Sequence, residues 1–313
     1  MSLSLVEASK LSNDVLLMGV VETIIKDSPV LQTMPFIEIV GNGLTYNQEK
    51  TLPSVDFYDV GDTWVESTPT FEQITAALKI MGGDADVDNF LKATRSNLQD
   101  IEAAVIEIKA KATRHKFEES FIYGDSSLNA KQFDGLRKLL KLEVADVAIP
   151  GDVNYTGQVI RMATAAAGAT LTLSKLDELI DAVKGGKPDM LLMSRRSRRK
   201  INALARAAGS NLEVGKGLLG EFVQFYNGIP IGVSDWTLDT HTVAADCGEE
   251  TGTTGGANST IYAFQLGEGA LAGLTSPGVI QVERIGSLET KDATRTRIKW
   301  YVSLALFASV KAS

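Results

Sequence analysis

Residues 70–83 read Thr70-Phe71-Glu72-Gln73-Ile74-Thr75-Ala76-Ala77-Leu78-Lys79-Ile80-Met81-Gly82-Gly83. Ile74, Ala76, Leu78 and Ile80 alternate with Gln73, Thr75, Ala77 and Lys79, the two-residue period of a half-buried strand, and the glycine pair marks its expected end. With further strands expected at Phe36 to Val40 and Ser54 to Tyr58, the stretch builds a long hairpin-like arm. Such an arm has too little sequence of its own to bury it, so its edges and apolar faces need neighbouring copies to cover them. Thr45 to Lys50 is polar and holds no Asn-Gly or Asp-Gly pair, so the tip of the arm is expected there as a broad, mobile loop.

From Ser96 the period changes. Ser96 with Gln99 is a capping-box signal, and Leu98, Ile101, Val105, Ile108 and Ala112 recur at spacings of three and four, with no Gly or Pro before Gly124. The pattern predicts a helix of about 27 residues, close to 40 Å at about 1.5 Å per residue, long enough to act as a spine. Before the arm, Val15, Leu16, Met18, Val20, Ile24 and Ile25 share one broad helical face. After the spine, the Gly, Asn and Pro of Pro150 to Gly157 mark a lobe boundary. The next lobe alternates helix and strand. Ser174 with Asp177 is expected to cap a helix stopped by Gly185 and Gly186, Met190 to Met193 is a short buried strand, and Arg195 to Ala208 is a second helix. Gly228 to Asp235 reads as a strand that Pro230 places towards a sheet edge, and Gly248 to Thr260 as a Gly/Thr-rich loop. Strands return at the end, where Ile298, Trp300, Val302, Leu304 and Leu306 share a face. The fold class is α+β.

Composition narrows the function. A chain of 313 residues, 44% hydrophobic and 22% charged, buries one large core or two moderate ones. One cysteine, Cys247, excludes an internal disulfide framework and a thiolate metal site, and suits a reducing, cytoplasmic origin. The apolar run Val15 to Ile25 carries Glu22 and lacks a basic leader, so it is read as neither signal peptide nor membrane span. A net charge of −8 argues against a dedicated nucleic-acid binder.

No catalytic constellation emerges, and no enzyme, cofactor or metal site is expected. Gly215-Lys216-Gly217-Leu218-Leu219-Gly220 matches a dinucleotide fingerprint, as Gly267 to Gly273 does in part, but neither joins a strand to a long helix with an acidic residue about 20 positions on. Gly217 also stands where a phosphate loop needs Ser or Thr. His115 lies on the spine helix and His241 near Cys247 in a polar loop, with no base and orienter fixed beside either. The sharpest charge signal is Arg195, Arg196, Arg198, Arg199 and Lys200 at a helix start, where cations oppose the helix dipole and an anionic partner would offset the cost.

Several stretches taken in order resemble the tailed-phage major capsid proteins of the Hong Kong 97 fold. They are Leu31-Gln32-Thr33-Met34-Pro35-Phe36, Gly41-Asn42-Gly43-Leu44-Thr45-Tyr46-Asn47 with Leu52-Pro53, Phe133-Asp134-Gly135-Leu136, Gly228-Ile229-Pro230-Ile231 before Ser234-Asp235, and Ile261-Tyr262-Ala263-Phe264 leading into Gly267. Their order carries the weight, and the resemblance spans essentially the whole chain. It implies an N-terminal arm over 1–35 and an extended E-loop over 36–88. It further implies a peripheral domain over 89–150 and 275–313, with the spine helix at 96–123, and an axial domain over 151–274.

The implied role is a virion capsid component, assembled in the host cytoplasm as pentamers and hexamers that tile an icosahedral shell around packaged double-stranded DNA. The implied partners are a portal, a separate scaffolding protein and a decoration protein, with no membrane. A separate scaffold, or a chain already trimmed of one, is expected because only about 95 residues precede the spine helix and arm and loop already use them. Some relatives join an E-loop lysine covalently to a neighbour; Lys50 occupies that region, and we read it as a solvated contact without cross-linking. Lys50, Arg195, Arg196, Arg198 and Arg199 are thus the candidate intersubunit contacts, the arginines facing an acidic neighbour in preference to DNA. An encapsulin-type compartment shares the fold, but the residues from Tyr46 to Pro53 follow the phage version. A small soluble enzyme is the distant alternative.

Overall fold

The computed structural model describes residues 24, 28–51, 53–90, 101–140, 160, 170–209, 212–216, 222–237, 259–308 and 311–312. The expected N-terminal helical face before Ile24, the Ser96/Gln99 capping box, the 150–157 boundary, His241, Cys247, the 248–258 loop and Gly217–Gly220 lie outside them. Helix α1 (Pro29–Thr33) begins where the Ser28 hydroxyl accepts the Leu31 N–H at 3.4 Å, and proline at its first position has no N–H to satisfy. Strand β1 (Phe36–Glu38) runs parallel to the start of β10 (Leu271–Ser287). β10 pairs antiparallel with β11 (Ala293–Leu306), and β11 with β4 (Lys79–Asp88), giving a four-stranded sheet in the order β1-β10-β11-β4.

The long helix α2 (Ile101–Tyr123) lies on one face of this sheet. Its Ile106, Ala110, Phe117 and Phe121 are buried against Ile298, Trp300 and Val302, the alternate residues of β11 that the period of two had placed on one side. Trp300 is fully buried; its ring stacks on Phe117 at 4.9 Å and lies 5.6 Å from Phe36, and its Nε1–H donates to Thr275 Oγ1 at 3.3 Å. Short helix α3 (Leu136–Leu139) follows a loop closed where Gly135 N–H donates to the Gly124 carbonyl at 2.8 Å. Lys138 ties that loop, donating to Asp125 Oδ1 at 2.6 Å and Ser127 Oγ at 2.6 Å.

The expected stop at Gly82-Gly83 is corrected: β4 runs through both glycines to Asp88, and the break falls one strand earlier, at Leu78. At Gly82 a Cβ would overlap the Ile298 carbonyl oxygen, so glycine is there to let β11 approach rather than to end the strand. Phe36–Glu38 joins the main sheet instead of an arm. The arm itself is a two-stranded ribbon of β2 (Gly43–Thr51) and β3 (Thr70–Ala77), paired from Gly43↔Ala77 to Thr51↔Thr70. Thr45–Lys50, expected as the loop, is strand, whereas Ser54–Tyr58, expected as strand, belongs to the loop.

The second lobe is a five-stranded sheet in the order β6 (Glu213–Lys216), β7 (Phe222–Tyr226), β8 (Ile229–Val233), β5 (Met190–Met193), β9 (Ile261–Phe264). Helices α4 (Leu173–Ala182) and α5 (Arg195–Ala207) accompany it, and Leu176, Leu179, Ile180, Leu191, Ile201 and Ile231 form a separate core. Thr172, not Ser174, caps α4, accepting the Lys175 N–H at 3.4 Å. β8 is interior rather than an edge: it runs parallel to β5 and turns from β7 through Asn227 (φ +52°) and Gly228 (φ +77°). Two successive positive φ values are those of a type I′ hairpin. Tyr226 donates to Asp177 Oδ1 at 2.7 Å, and burial together with that carboxylate pushes the phenol up to about 12, fastening β7 to α4. Met190, Leu192, Tyr262 and Phe264 belong to the main core, so the lobes share packing.

On the face of the main sheet away from α2, Arg297 opposes Asp84 and Arg295 opposes Asp86 in register, each pair bidentate at 2.6–2.9 Å. Hydrogen bonds from these arginines hold both carboxyls below their ordinary value, so the native state binds fewer protons than the unfolded chain in acid. Their stabilisation is therefore complete above about pH 4 and lost as pH falls through the lowered native values. The D84N/D86N variant is expected to melt at lower temperature at pH 7 and to show a smaller fall in Tm between pH 7 and pH 3 than the unaltered chain. An unchanged fall would contradict the assignment.

Candidate assembly interface

The ribbon leaves the body with its root fastened. Tyr46 packs on Phe307 with ring centroids 4.9 Å apart, and Gln48, buried, donates from Nε2 to the Leu306 carbonyl at 2.5 Å. Leu44 and Ala76 are half-buried against Ile39, Leu274 and Ala305. The chain thus covers the first half of its own arm, which the alternating pattern had assigned to neighbours. Lys50 falls at the irregularity between Glu49 and Thr51 where the ribbon pairing slips; its side chain lies outside the described residues.

Beyond Thr51 the covering ends. Residues 53–69 form a loop that closes by local bonds: Asp59 N–H donates to Asp62 Oδ2 at 2.7 Å, Val60 N–H to Asp59 Oδ1 at 2.8 Å, and Ser67 Oγ to the Ser54 carbonyl at 3.2 Å. Tyr58 and Trp64 stack at 4.5 Å. The loop's apolar side chains point outward, with Val55 89%, Phe57 107% and Trp64 78% exposed, and Val60 and Val65 open as well. Large apolar groups gathered on one loop and left in water mark a surface that a protein partner covers. Sequence reading missed them; the available signal was the large apolar residues interleaved with acids from Val55 to Glu66.

Of the arginine cluster, Arg195 is gripped by Asp235, Nε to Oδ1 at 2.8 Å and Nη2 to Oδ2 at 3.0 Å, both side chains largely exposed. Ser194 caps α5, accepting the Ser197 N–H at 3.2 Å. The anionic partner expected for the helix start therefore comes, for Arg195, from the same chain. Arg198 is half-buried, with its Nε enclosed and lacking a hydrogen-bond acceptor among the described residues, while Arg199 and Lys200 are exposed. Trp236, next to Asp235, lies edge-on to His115 of α2 at 6.0 Å. The arginine cluster is thus linked to His115 of the spine helix through the neighbouring residues Asp235 and Trp236, while the tip loop forms a separate surface.

Beneath that meeting point Glu118 of α2 receives a hydrogen bond from Ser28, and burial pushes its carboxyl above the ordinary value despite nearby Arg114 and His115, with Asp235 adding to the rise. Among the described residues no group of three or more His, Cys, Asp or Glu could hold a metal ion, and no helix is long and apolar enough to cross a membrane.

A spine helix on a four-stranded sheet, a second mixed lobe and a projecting ribbon with an uncovered tip define a shell-forming subunit. The family model for the phage capsid family matches residues 11–235, and the chain belongs to that family. No curated protein matches it. Among solved structures it is similar to the holo-SrpI encapsulin of Synechococcus elongatus PCC 7942, at 15% identity and TM-score 0.64 over 92% of this chain and 86% of the other. It is likewise similar to the capsid of an empty GTA particle, at 15% identity and TM-score 0.63 over 91% and 88%. A third similar structure is that of Microbacterium phage Oxtober96, at 13% identity and TM-score 0.59 over 90% and 85%. The chain is a capsid shell protein, built to assemble in many copies, and its place is the virion capsid.

A raised carboxyl disfavours its charged form in the native state, so Glu118 contributes stability only below its ordinary value and loses it as pH rises. Glu118→Gln is expected to raise the Tm of the unassembled subunit at pH 8, with the gain shrinking towards pH 4.5. A loss of stability at pH 8 would contradict this.

Proposed function

We propose that this chain is the major capsid protein of a tailed phage, assembling as pentamers and hexamers into an icosahedral shell around double-stranded DNA. The exposed apolar tip at 53–69, on a ribbon whose root is already fastened, carries the reading: the free subunit is folded but one surface is unfinished. In this proposal 1–35 is the N-terminal arm and 36–88 the E-loop, whose end reaches an adjacent subunit. The peripheral domain comprises 89–150 and 275–313, and the axial domain 151–274. Each contact is modest, but a closed shell repeats it in every copy, so a subunit held at several interfaces leaves slowly. Assembly takes place in the host cytoplasm around a separate scaffolding protein and a portal, with a decoration protein as a further partner. Lys50 makes a non-covalent contact.

Negative-stain electron microscopy of Phe57→Ser/Trp64→Ser is the expected check. Both side chains are exposed, so the free subunit should keep its Tm while closed particles fall at least about tenfold, as loss of interface anchors does. Normal particle yield from this variant would remove the tip from the assembly contacts. A discrete monomer or dimer from the unaltered chain under every assembly condition would remove the shell reading altogether.

A further inference from the structure

We propose that the exposed strip of helix α5 is where the shell touches nucleic acid, binding the phosphate backbone of double-stranded DNA without reading its sequence, in place of the acidic neighbour expected from the residues alone; this rests on the shell reading above. Helix α5 carries six cations and no carboxylate in thirteen residues. Of its exposed side chains, Arg195, Arg196, Arg199, Lys200 and Arg206 are cations and the rest are alanines. Ser197, Ile201 and Ala205 turn the opposite side inward. The sign is local to this helix: α4, in the same lobe, carries Asp177, Glu178 and Asp181, and its Lys175 is paired with Glu178 at 2.7 Å. The concentration of one charge is costly to the free subunit. Arg195 and Arg199, like Arg196 and Lys200, stand one turn apart and repel, and cations in the first turn oppose the helix dipole. Asp235 relieves Arg195, but Arg199 and Lys200 have no ion-pair partner among the described residues.

A protein partner would bring carboxylates, but a protein interface also needs apolar or aromatic anchors at its centre, where charge is depleted, and α5 exposes nothing apolar beyond alanine. A phosphate backbone needs only cations. The strip from Arg195 to Arg206 is about 16 Å long, and a duplex presents a charge about every 1.7 Å of its axis, so no register has to be matched. Ala203 and Ala207 keep the helix surface low between the cations, which lets a backbone approach. No aromatic side chain is exposed on α5 for a base to stack on, so the contact is with phosphate and carries no sequence preference. The net charge of −8 keeps the hold of one subunit weak, and many copies facing one packaged molecule make it effective.

Salt dependence tests the contact. Fluorescence anisotropy of a labelled duplex of about 24 base pairs is followed with free full-length subunits at up to about 100 µM, between about 25 and 200 mM salt. For the unaltered chain, log K is expected to fall against log salt with a slope of about −3 to −4, one phosphate neutralised by each free cation of the strip. R199Q/K200Q is expected to reduce that slope by about 1.8 and to weaken binding at about 50 mM salt at least about tenfold, and R206Q alone to reduce the slope by about 0.9. A duplex of different sequence should bind equally, and Lys175→Gln on α4 should leave the slope unaltered. Because R199Q/K200Q removes like-charge repulsion, its free subunit should melt no lower than the unaltered one, and its particles should form in normal yield. Three results overturn the contact: no binding by the unaltered subunit at the lowest salt, slopes unchanged in R199Q/K200Q and R206Q, or binding of polyglutamate as tight as that of the duplex together with loss of particles from R199Q/K200Q, the outcome for an acidic neighbour. The first two leave the shell reading standing as long as the unaltered chain forms particles. Should it form none, the shell reading fails and this contact with it.

Discussion

Trp300 is the point on which the rest of the structure depends. From the middle of β11 it packs on Phe117 of the spine helix and on Phe36 of β1, and its indole N–H is held by Thr275 of β10. One side chain therefore fixes the helix, the parallel edge strand and the long antiparallel pair together. Truncation of such a buried aromatic costs about 3–5 kcal/mol. Because β11 also pairs with β4, and β4 continues from the ribbon across Leu78, the direction of the arm is set by the same core. The arm's rigid root follows from Tyr46 on Phe307 and Gln48 on the Leu306 carbonyl.

A division follows between surface the chain satisfies itself and surface it leaves open. On the outer face of the main sheet the chain pairs its own charges, Asp84 with Arg297 and Asp86 with Arg295. The tip is the reverse, with its backbone turns satisfied locally and its apolar groups open to water. Membership of the phage capsid family gives that asymmetry its meaning: a shell subunit has to be folded before assembly and unfinished until it.

Much of this was legible in the residues. The alternation from Ile298 to Leu306 reflects burial on one side and stands as read, whereas the spacing over Ile101–Ala112 found the helix and not its buried face: Ile108 and Ala112 are exposed, and Ile106, Ala110, Phe117 and Phe121 are the residues that pack. The errors have one cause, that period alone does not reveal a partner. Val55 and Phe57 alternate with Asp56 like a strand, yet no strand among the described residues pairs with them. Thr45 and Asn47 face water and read as loop, yet the ribbon pairs them with Thr75 and Gln73. Gly82-Gly83 looked like a stop because close approach of β11 is a tertiary fact, and Pro230 looked like an edge because the short β7–β8 pairing was not visible. The Asn227-Gly228 hairpin was legible and unused. For the interface, the arginine cluster stood out by charge, but its contact with the spine helix through Trp236 joins residues far apart in the chain.

Amide hydrogen exchange over residues 53–69, compared between free subunits and assembled particles, tests most directly whether other copies complete this surface. Fast exchange in the free subunit and strong protection of the same amides in the particle is the expected result. Equal, rapid exchange in both states would show that the tip remains in water after assembly, and would contradict a subunit finished by its copies.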